Sequence, residues 1–291
     1  MSAIARVGVV QWSMENVSSE ARWWEQVNFY LETLADYECH FVVFPEFFGI
    51  PLLAEHDQRD PIQAIHALAA RTPSLVARFS EQAKRLDVNV IAGSFPVVEA
   101  GELLNIAYLC RADGSIEAQA KIHPTPNERN KWRMQGGEAL RVFVTPWGRV
   151  AILLCYDIEF PELGRVLAQK GVDILFVPSW TDTRHGYDRV RLCAQARAIE
   201  NECYVVLSGS TGQLLGVANA DIQYSQSAIF TPSDRVFPHD CLLAQADPNI
   251  PSVIMADLDI SKLGWLRKSG AVRNGEDQRR ELYSVEWRGK S

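Results

Sequence analysis

The sequence lacks the features that would place the protein outside the cell or in a membrane. Its six cysteines are scattered over 291 residues with no CxxC pair, a pattern typical of reduced thiols and not of a disulfide framework. No apolar run approaches the roughly 18 residues that a transmembrane helix needs, and the N-terminal segment has no signal-peptide core. From the sequence we expect a cytoplasmic protein that has no membrane partner.

Motifs for metals, nucleotides and nucleic acids are also missing. The six histidines form no HxH, HxxxH or HExxH pair, and the chain has neither GxGxxG nor GxxxxGK(S/T). Nothing therefore indicates a metal site, a dinucleotide or a P-loop nucleotide. A net charge of −7 and a pI of about 5.5 disfavour nucleic acid and anionic membrane surfaces as partners. We expect no cofactor, no metal and no nucleic-acid partner.

What the sequence does contain is an alternation of short β-rich runs with longer helical stretches. With 47% hydrophobic residues, a chain of this length can bury a large core. Several strand candidates, such as Ile174–Val177, are continuously apolar, which is typical of strands covered on both faces. The pattern predicts one α/β domain over residues 1–270. It also predicts a polar tail over residues 271–291, either loose or held at a subunit interface.

The predicted elements can be placed along the chain from periodicity and from turn residues. The strands are predicted at Arg6–Gln11, Phe41–Pro45, Val88–Phe95, Asn105–Cys110, Val150–Cys155, Asp173–Pro178, Tyr204–Ser208, Ser227–Phe230 and Val253–Asp257. The helices are predicted at Ser19–Tyr37, Pro73–Leu86, Pro161–Lys170, Tyr187–Asn201 and Ser261–Lys268. A long segment over Phe48–Pro61 is predicted to be a loop that shapes a pocket.

Cys155 is the most informative residue, since it ends an apolar run and precedes a turn rich in carboxylates. A strand over Val150–Cys155 would carry its thiol to the C-terminal edge of a sheet, where ligands bind in α/β folds. A thiol placed there can act as a nucleophile once a base removes its proton. An isolated cysteine on an apolar strand is also commonly a small core residue. The other strand ends decide between these interpretations.

Two further strand ends carry groups that complement a thiol. Glu46 directly follows the strand Phe41–Pro45, and Lys121 follows a short run of alanine and glutamine. A glutamate can accept the thiol proton, and an ammonium group can stabilise the oxyanion that forms when a thiolate attacks an amide carbonyl. Taken singly, Glu46 is equally consistent with a helix cap and Lys121 with a surface charge. His123 offers a second arrangement, a papain-like pair with Cys155.

Three local strings favour the first arrangement: Phe44–Glu46, Lys121–His123 and Leu154–Asp157. In this order and at this spacing they resemble the nitrilase superfamily, the carbon–nitrogen hydrolases. The resemblance extends over roughly Ile4–Ile260. It implies a four-layer α-β-β-α sandwich, in which two sheets lie face to face with helices outside. It also implies a homodimer, or a higher homo-oligomer, paired through helices.

The resemblance also implies a role for each catalytic candidate. Glu46 would be the general base, Lys121 the cation that stabilises the oxyanion, and Cys155 the nucleophile. Glu128 matches a second glutamate of the family, which orients the lysine or the substrate, although an exposed loop charge is the competing interpretation. Histidine is common at the position of His123 in the family without being the base.

Three further residues are candidates for substrate binding by the same resemblance. The backbone N–H of Tyr156 would complete the oxyanion hole. Trp180 and Thr181, just beyond a predicted strand end, would form part of the pocket wall, and a buried core tryptophan is the competing interpretation for Trp180. Glu159 would repel an anionic substrate if it faced the pocket, or else it would bind a backbone N–H or an arginine.

The segment that follows Cys155 resembles the amidase branches of the superfamily more than the nitrilases. We therefore predict a cofactor-independent amidase that cleaves the C–N bond of a small, linear, non-peptide amide. The reaction would pass through a Cys155 thioester and release ammonia and a carboxylic acid. An N-carbamoyl amidohydrolase, a nitrilase or an acyltransferase with the same residues are alternatives. A catalytically inactive binding or scaffold protein is the alternative of another class.

Overall fold

The chain forms a mixed α/β structure whose apolar runs are its central strands. The computed structural model describes residues 4–55, 60–217, 220 and 222–290. Within these residues the strands are β1 (Ile4–Met14), β2 (Phe41–Val43), β3 (Asn89–Glu99), β4 (Glu102–Cys110), β5 (Ile116–Ala120), β6 (Phe143–Thr145), β7 (Gly148–Ile152), β8 (Ile174–Ser179), β9 (Tyr204–Gln213), β10 (Ile222–Gln223), β11 (Ala228–Phe230), β12 (Leu242–Gln245) and β13 (Ser252–Asp259). The α-helices are α1 (Glu20–Asp36), α2 (Pro61–Leu86), α3 (Pro126–Lys131), α4 (Pro161–Gln169), α5 (Arg184–Asn201) and α6 (Ile260–Ser269). Short 3₁₀-helices lie at Ile50–Glu55 and Cys155–Glu159.

The strands form a curled sheet with two halves. One half has the order β5-β4-β3-β2-β1-β13, and the other has the order β6-β7-β8-β9-β11-β12. The neighbours β1, β2 and β3 are parallel, as are β7, β8 and β9. The halves are joined where the ends of β1 and β9 pair in parallel, from Trp12 opposite Ser210 to Met14 opposite Gly212. This junction is the seam of the sheet.

Hydrophobic clusters divide the described part of the chain into four layers. In the middle cluster, Val7 and Phe41 of one half meet Ile152 and Phe176 of the other, and the rings of Phe41 and Phe176 lie 5.3 Å apart. Helices α1 and α2 cover the outer face of the first half, and α4 and α5 cover the outer face of the second. Successive strand residues point to opposite faces, so each central strand contributes to two clusters. The predicted α-β-β-α sandwich is confirmed.

The outer helices begin at side chains that accept a hydrogen bond from the first helical turn. Ser19 accepts from the backbone N–H of Arg22 at the start of α1, at 3.3 Å. Thr183 does the same for Gly186 at the start of α5, at 3.1 Å. Each cap satisfies one of the N–H groups that a helix start leaves without an internal partner.

The predicted start of the second helix, at Pro73, was wrong. Helix α2 begins at Pro61, after Asp60, whose side chain accepts from the N–H of Gln63 at 2.9 Å. Proline commonly opens a helix because it lacks an N–H, and both prolines fit that rule locally. Pro73 instead lies inside the helix. There the hydroxyl of the preceding Thr72 donates to the carbonyl oxygen of Pro96 of β3, at 2.7 Å.

Two other predictions need correction. The strand expected to carry the nucleophile ends at Ile152, and Cys155 opens a 3₁₀-helix beyond it. The predicted loop over Phe48–Pro61 contains the 3₁₀-helix Ile50–Glu55, and its apolar residues Phe48, Ile50, Leu52 and Leu53 are buried. The part of that segment at residues 56–59 lies outside the described residues. In the described ranges, no helix is both long enough and apolar enough to cross a membrane.

Candidate active site

All the residues predicted for the site line one cavity of about 530 Å³ at the C-terminal ends of several strands. These residues are Glu46, Lys121, Glu128, Cys155, Tyr156, Trp180 and Thr181. Glu46 follows β2 and Lys121 follows β5 in the first half of the sheet, whereas Cys155 and Trp180 follow β7 and β8 in the second. The cavity therefore lies between the two halves, as expected for a site at the strand ends of an α/β sheet.

The turn that holds Glu46 packs directly against β3. Gly93 of β3 has a φ of +56°, and a Cβ at this position would lie 2.0 Å from the carbonyl oxygen of Pro45. Next to it, the hydroxyl of Ser94 accepts a hydrogen bond from the N–H of Phe47 at 3.2 Å. Only glycine allows this close approach of the two backbones. The conformation of Gly93 therefore helps to fix the position of the Glu46 carboxylate.

Lys121 lies between two buried carboxylates. Its Nζ is 2.8 Å from Oε1 of Glu46 and 2.8 Å from Oε2 of Glu128. The amide of Asn105 donates to Oε1 of Glu46 at 2.9 Å and to Oε1 of Glu128 at 3.0 Å. All four residues are at most 4% exposed. With both glutamates ionised, this cluster carries one more negative than positive charge. Asn105 was not among the residues predicted from the sequence.

Glu128 is held by the first turn of the short helix α3. The hydroxyl of Thr125 accepts from the N–H of Glu128 at 3.2 Å, and Oε2 of Glu128 accepts from the N–H of Thr125 at 2.6 Å. This reciprocal pair is a capping box. The competing interpretation of Glu128 as an exposed loop charge was wrong, because the residue is 4% exposed. The Thr-x-x-Glu spacing in the sequence is the signal that predicts this helix start.

Cys155 adopts a backbone conformation that is rare for residues other than glycine. Its φ is +46°, a conformation that costs on the order of 1–3 kcal/mol and is found most often at functional sites. The thiol is 4% exposed and lies 3.5 Å from the carbonyl oxygen of Trp180. The sharp turn after β7 thus places the sulfur inside the cavity beside the end of β8.

Asp157 connects the turn that carries Cys155 to the segment that carries Lys121. It is 1% exposed, and its carboxylate accepts from the N–H groups of Ile122 at 3.1 Å and His123 at 2.8 Å. His123 also places its Nδ1 3.0 Å from this carboxylate and stacks on Phe160, with 3.7 Å between ring centroids. His123 lines a separate groove from the thiol, so the papain-like arrangement is not the one observed.

The buried charges shift one another's proton affinities. Burial raises the pKa of Glu46 to about 7, and the negative charge of Glu128 adds to the shift while Lys121 opposes it. Burial lowers the pKa of Lys121, but the carboxylates of Glu128 and Glu46 raise it well above its usual value overall. Burial, together with Glu46, raises the pKa of the Cys155 thiol well above its usual value. The resting site therefore holds a thiol, an ammonium group and a carboxyl that titrates near neutral pH.

Aromatic rings form one wall of the cavity. Trp180 stacks on Trp132, with 6.1 Å between centroids and 10° between planes, and Phe47 meets both rings edge-on. Trp180 is partly exposed to the cavity and packs against the core on its other side, so both interpretations of this residue apply. The hydroxyl of Thr181 donates to the carbonyl oxygen of Tyr224 at 2.7 Å. Trp132 was missed because no local pattern connects it to the strand ends.

The mouth of the cavity is lined by charged residues. Glu159 lines the cavity together with Asp182 and Arg189. The carboxylate of Glu159 lies 3.4 Å from Nε of Arg189, and its side chain is 17% exposed. Glu159 therefore faces the pocket and also pairs with an arginine. Among the described residues, no group of three or more histidine, cysteine, aspartate or glutamate side chains is arranged to hold a metal ion.

Comparison with known proteins identifies the family. The sequence profile of the family "Carbon-nitrogen hydrolase" matches residues 6–268. The chain belongs to the carbon–nitrogen hydrolase family. It is 43% identical over 283 residues to the "Probable hydrolase YhcX" of Bacillus subtilis, covering 97% of this chain and 55% of that protein. The chain thus spans about half the length of that relative.

Two further matches are to proteins that are named as amidases. A "Deaminated glutathione amidase" of Synechocystis sp. is 32% identical over 225 residues, covering 73% of this chain and 78% of that protein. A variant of the amidase from Nesterenkonia sp. AN1 matches in structure with a TM-score of 0.72 at 18% identity, covering 96% of this chain and 95% of that one. That structure shows covalent addition of the acetamide moiety of fluoroacetamide at the active-site cysteine. At this low identity the structural match establishes the fold.

Proposed function

We propose that this carbon–nitrogen hydrolase cleaves small linear amides through a thioester on Cys155. The observation that carries the proposal is the buried ammonium group of Lys121, held 2.8 Å from both Glu46 and Glu128 in the cavity that also contains the Cys155 thiol. A thiol, a carboxyl that titrates near neutral pH and a fixed cation are the groups that acyl transfer from an amide requires.

In the first half of the proposed reaction, Sγ of Cys155 attacks the amide carbonyl carbon while the Glu46 carboxylate takes the thiol proton. Proton transfer accompanies the attack because the raised pKa of the thiol keeps it protonated at rest. Nζ of Lys121 and the N–H of Tyr156 stabilise the oxyanion. When the oxyanion collapses, the C–N bond breaks, and Glu46 donates its proton to the nitrogen, which leaves as ammonia.

In the second half, Glu46 removes a proton from water, and the resulting hydroxide attacks the thioester. The C–S bond then breaks, the carboxylic acid leaves, and Cys155 recovers its proton from Glu46. Glu128 keeps Lys121 in place throughout, because its 2.8 Å contact with Nζ is independent of the proton that Glu46 gains and loses. Glu128 thus holds the lysine, and Glu46 transfers the proton.

The known relatives are consistent with this chemistry. The Synechocystis relative is named an amidase, and the Nesterenkonia amidase forms a covalent adduct at a cysteine. A cavity of about 530 Å³ lies within the range of roughly 300–1,000 Å³ that is usual for small-molecule sites. The homodimer and the cytoplasmic location stay predictions of the sequence.

The test is ammonia release from a panel of small linear amides, nitriles and N-carbamoyl compounds, with intact mass spectrometry of each reaction. We expect turnover of amides and an acyl adduct that maps to Cys155. Turnover confined to nitriles or to N-carbamoyl compounds would replace the amidase assignment with one of those activities. No turnover, together with a Cys155 thiol that resists iodoacetamide at neutral pH, would favour an inactive binding protein.

The pH dependence of the reaction should follow Glu46. The carboxyl must be ionised to accept the thiol proton, so kcat/KM for an uncharged amide should rise as pH increases through about 7. The measurement is kcat/KM between about pH 5 and 9, the usual range for such a profile. A Glu46→Gln variant, which has no titrating base, should retain at most about a hundredth of the activity, with this rise absent. A wild-type profile that is flat across neutral pH would argue against Glu46 as the base.

A further inference from the structure

The cavity mouth of the proposed amidase carries charges that bear on which amides can enter. Besides the cluster around Lys121, the charged residues that line the cavity are Glu159, Asp182 and Arg189. Glu159 and Arg189 neutralise one another at 3.4 Å. Asp182 adds an exposed negative charge. The nearby Arg184 is paired with Asp188 at 2.9 Å, so it offers little compensation.

Counting the charges that line the cavity gives a negative balance. Lys121 and Arg189 provide the positive charges, and Glu46, Glu128, Glu159 and Asp182 provide the negative ones. Lys121 is already in contact with two carboxylates. An entering carboxylate would therefore compete with Glu159 for Arg189 and would meet like charge from Asp182. An entering ammonium group would meet carboxylates at the same places.

The burial of Glu159 strengthens the electrostatic interaction between its carboxylate and a ligand in the cavity. Its side chain is 17% exposed, whereas that of Arg189 is 63% exposed. Burial raises the pKa of Glu159, and Arg189 partly opposes the shift. A charge that is partly removed from water interacts more strongly with a ligand than an exposed charge does. Glu159 should therefore influence a bound substrate more than Arg189 does.

The distance between Glu159 and the nucleophile sets the length of the substrate. Cys155 and Glu159 are the two ends of one 3₁₀-helix. With a rise of about 2 Å per residue, their backbones lie on the order of 8 Å apart along the helix axis. A group that contacts Glu159 must therefore be separated from the reacting carbonyl by a short chain of atoms.

We propose that Glu159, with Asp182, selects amides that carry a positively charged group at the end remote from the amide, and disfavours those that carry a carboxylate there. The proposal rests on the amidase function. In this proposal, Glu159 contacts the distal group of the substrate. Arg189 is the counter-ion of Glu159 in the free protein, and the cation of the substrate can displace it.

The test compares three amides of equal chain length that end in an ammonium, a hydroxyl or a carboxylate group. We expect kcat/KM to decrease in that order. In Glu159→Gln the ratio of kcat/KM for the ammonium substrate to kcat/KM for the carboxylate substrate should fall by about tenfold or more, because a carboxylate is lost and Arg189 is released. In Arg189→Gln the same ratio should rise. Glu162→Gln removes an exposed carboxylate outside the cavity and should leave the ratio unchanged.

A second measurement does not depend on turnover. Methanethiosulfonates with ammonium, neutral and sulfonate tails should modify Cys155, with the ammonium reagent fastest and the sulfonate reagent slowest. Each rate is divided by the rate of the same reagent with a free thiol. Glu159→Gln should reduce the difference between the ammonium and sulfonate rates. If the hydroxyl amide is hydrolysed and the carboxylate amide is preferred over the ammonium amide, the charge assignment is wrong and the amidase function stands. If no amide of this set or of the panel described above is hydrolysed while the modification rates keep the expected order, the amidase function fails and the charge selectivity of the cavity stands.

Discussion

Replacing Cys155 with alanine should abolish hydrolysis without unfolding the protein. The substitution removes the atom that would form the thioester, and loss of a nucleophile typically lowers kcat by at least about 10⁴-fold. It leaves the contacts of Lys121 with Glu46 and Glu128 in place. Alanine meets the same positive φ as cysteine at this position, so no new backbone strain arises. The measurements are ammonia release, the adduct in intact mass spectra and the midpoint of thermal unfolding.

Cys193→Ala is the matched control for this experiment. Cys193 is a partly buried free thiol of α5 and is not among the residues that line the cavity. This variant should keep the activity and the acyl adduct of the wild type. If Cys155→Ala retained more than about a hundredth of the wild-type rate, a thioester at this residue would be ruled out as the main route. Equal loss in both variants would point to a general effect on folding.

Replacing Lys121 with methionine should damage both stability and activity. The variant keeps a long side chain but leaves Glu46 and Glu128 buried and adjacent without a cation, and breaking a buried charge pair costs about 3–5 kcal/mol. Loss of one oxyanion donor lowers kcat by about 10²–10³-fold, and the misplaced base should lower it further. The free energy of unfolding in urea and the steady-state rate measure the two effects. Lys131→Met, which removes an exposed charge of α3, is the control.

The loss of stability in Lys121→Met should depend on pH in a defined direction. Without the lysine, burial and the negative charge of Glu128 raise the folded-state pKa of Glu46 further above that of the unfolded chain. A group with a raised folded-state pKa stabilises the fold at low pH, and this stabilisation is lost as pH rises through the folded-state value. The variant should therefore be closest to the wild type in mildly acidic solution and farthest from it at alkaline pH. Adding Glu46→Gln should recover part of the lost stability. A variant as stable as the wild type at neutral pH would contradict the proposed role of the lysine.

Much of the site could be predicted because its residues follow apolar strands. Glu46 comes directly after a predicted strand, Cys155 is the last residue of another, and Lys121 follows a short run of alanine and glutamine, so a linear pattern contains the information. Asn105 could not be found in this way. It lies within the predicted strand Asn105–Cys110, and its partners Glu46 and Glu128 are 59 and 23 residues away in the chain. A buried polar residue in a strand has no local signature, because its hydrogen bonds are made only after distant segments meet.

For the fold, too, features that depend on the local sequence could be predicted, and features that depend on distant segments could not. Strands with continuous apolar runs were located well, because burial on both faces leaves a direct mark on the sequence. The short strands β5, β6, β10 and β12 were missed, since runs of two to five residues are too short to show a period. The turn at Cys155 was missed for another reason. A positive φ usually favours glycine, and here the conformation is adopted by the residue whose thiol enters the cavity.

The seam between β1 and β9 has a consequence for how activity appears during folding. Glu46 and Lys121 belong to the half of the sheet before the seam, and Cys155 belongs to the half beyond it. The pairing that joins the halves connects residues near positions 12 and 210 of the chain, so it forms late in any order of assembly that favours short loops. Until then a folding chain holds Glu46 and Lys121 in one place and the thiol of Cys155 in another. Recovery of ammonia release during refolding therefore reports the meeting of the two halves and not the formation of the short-range strand pairs within either one.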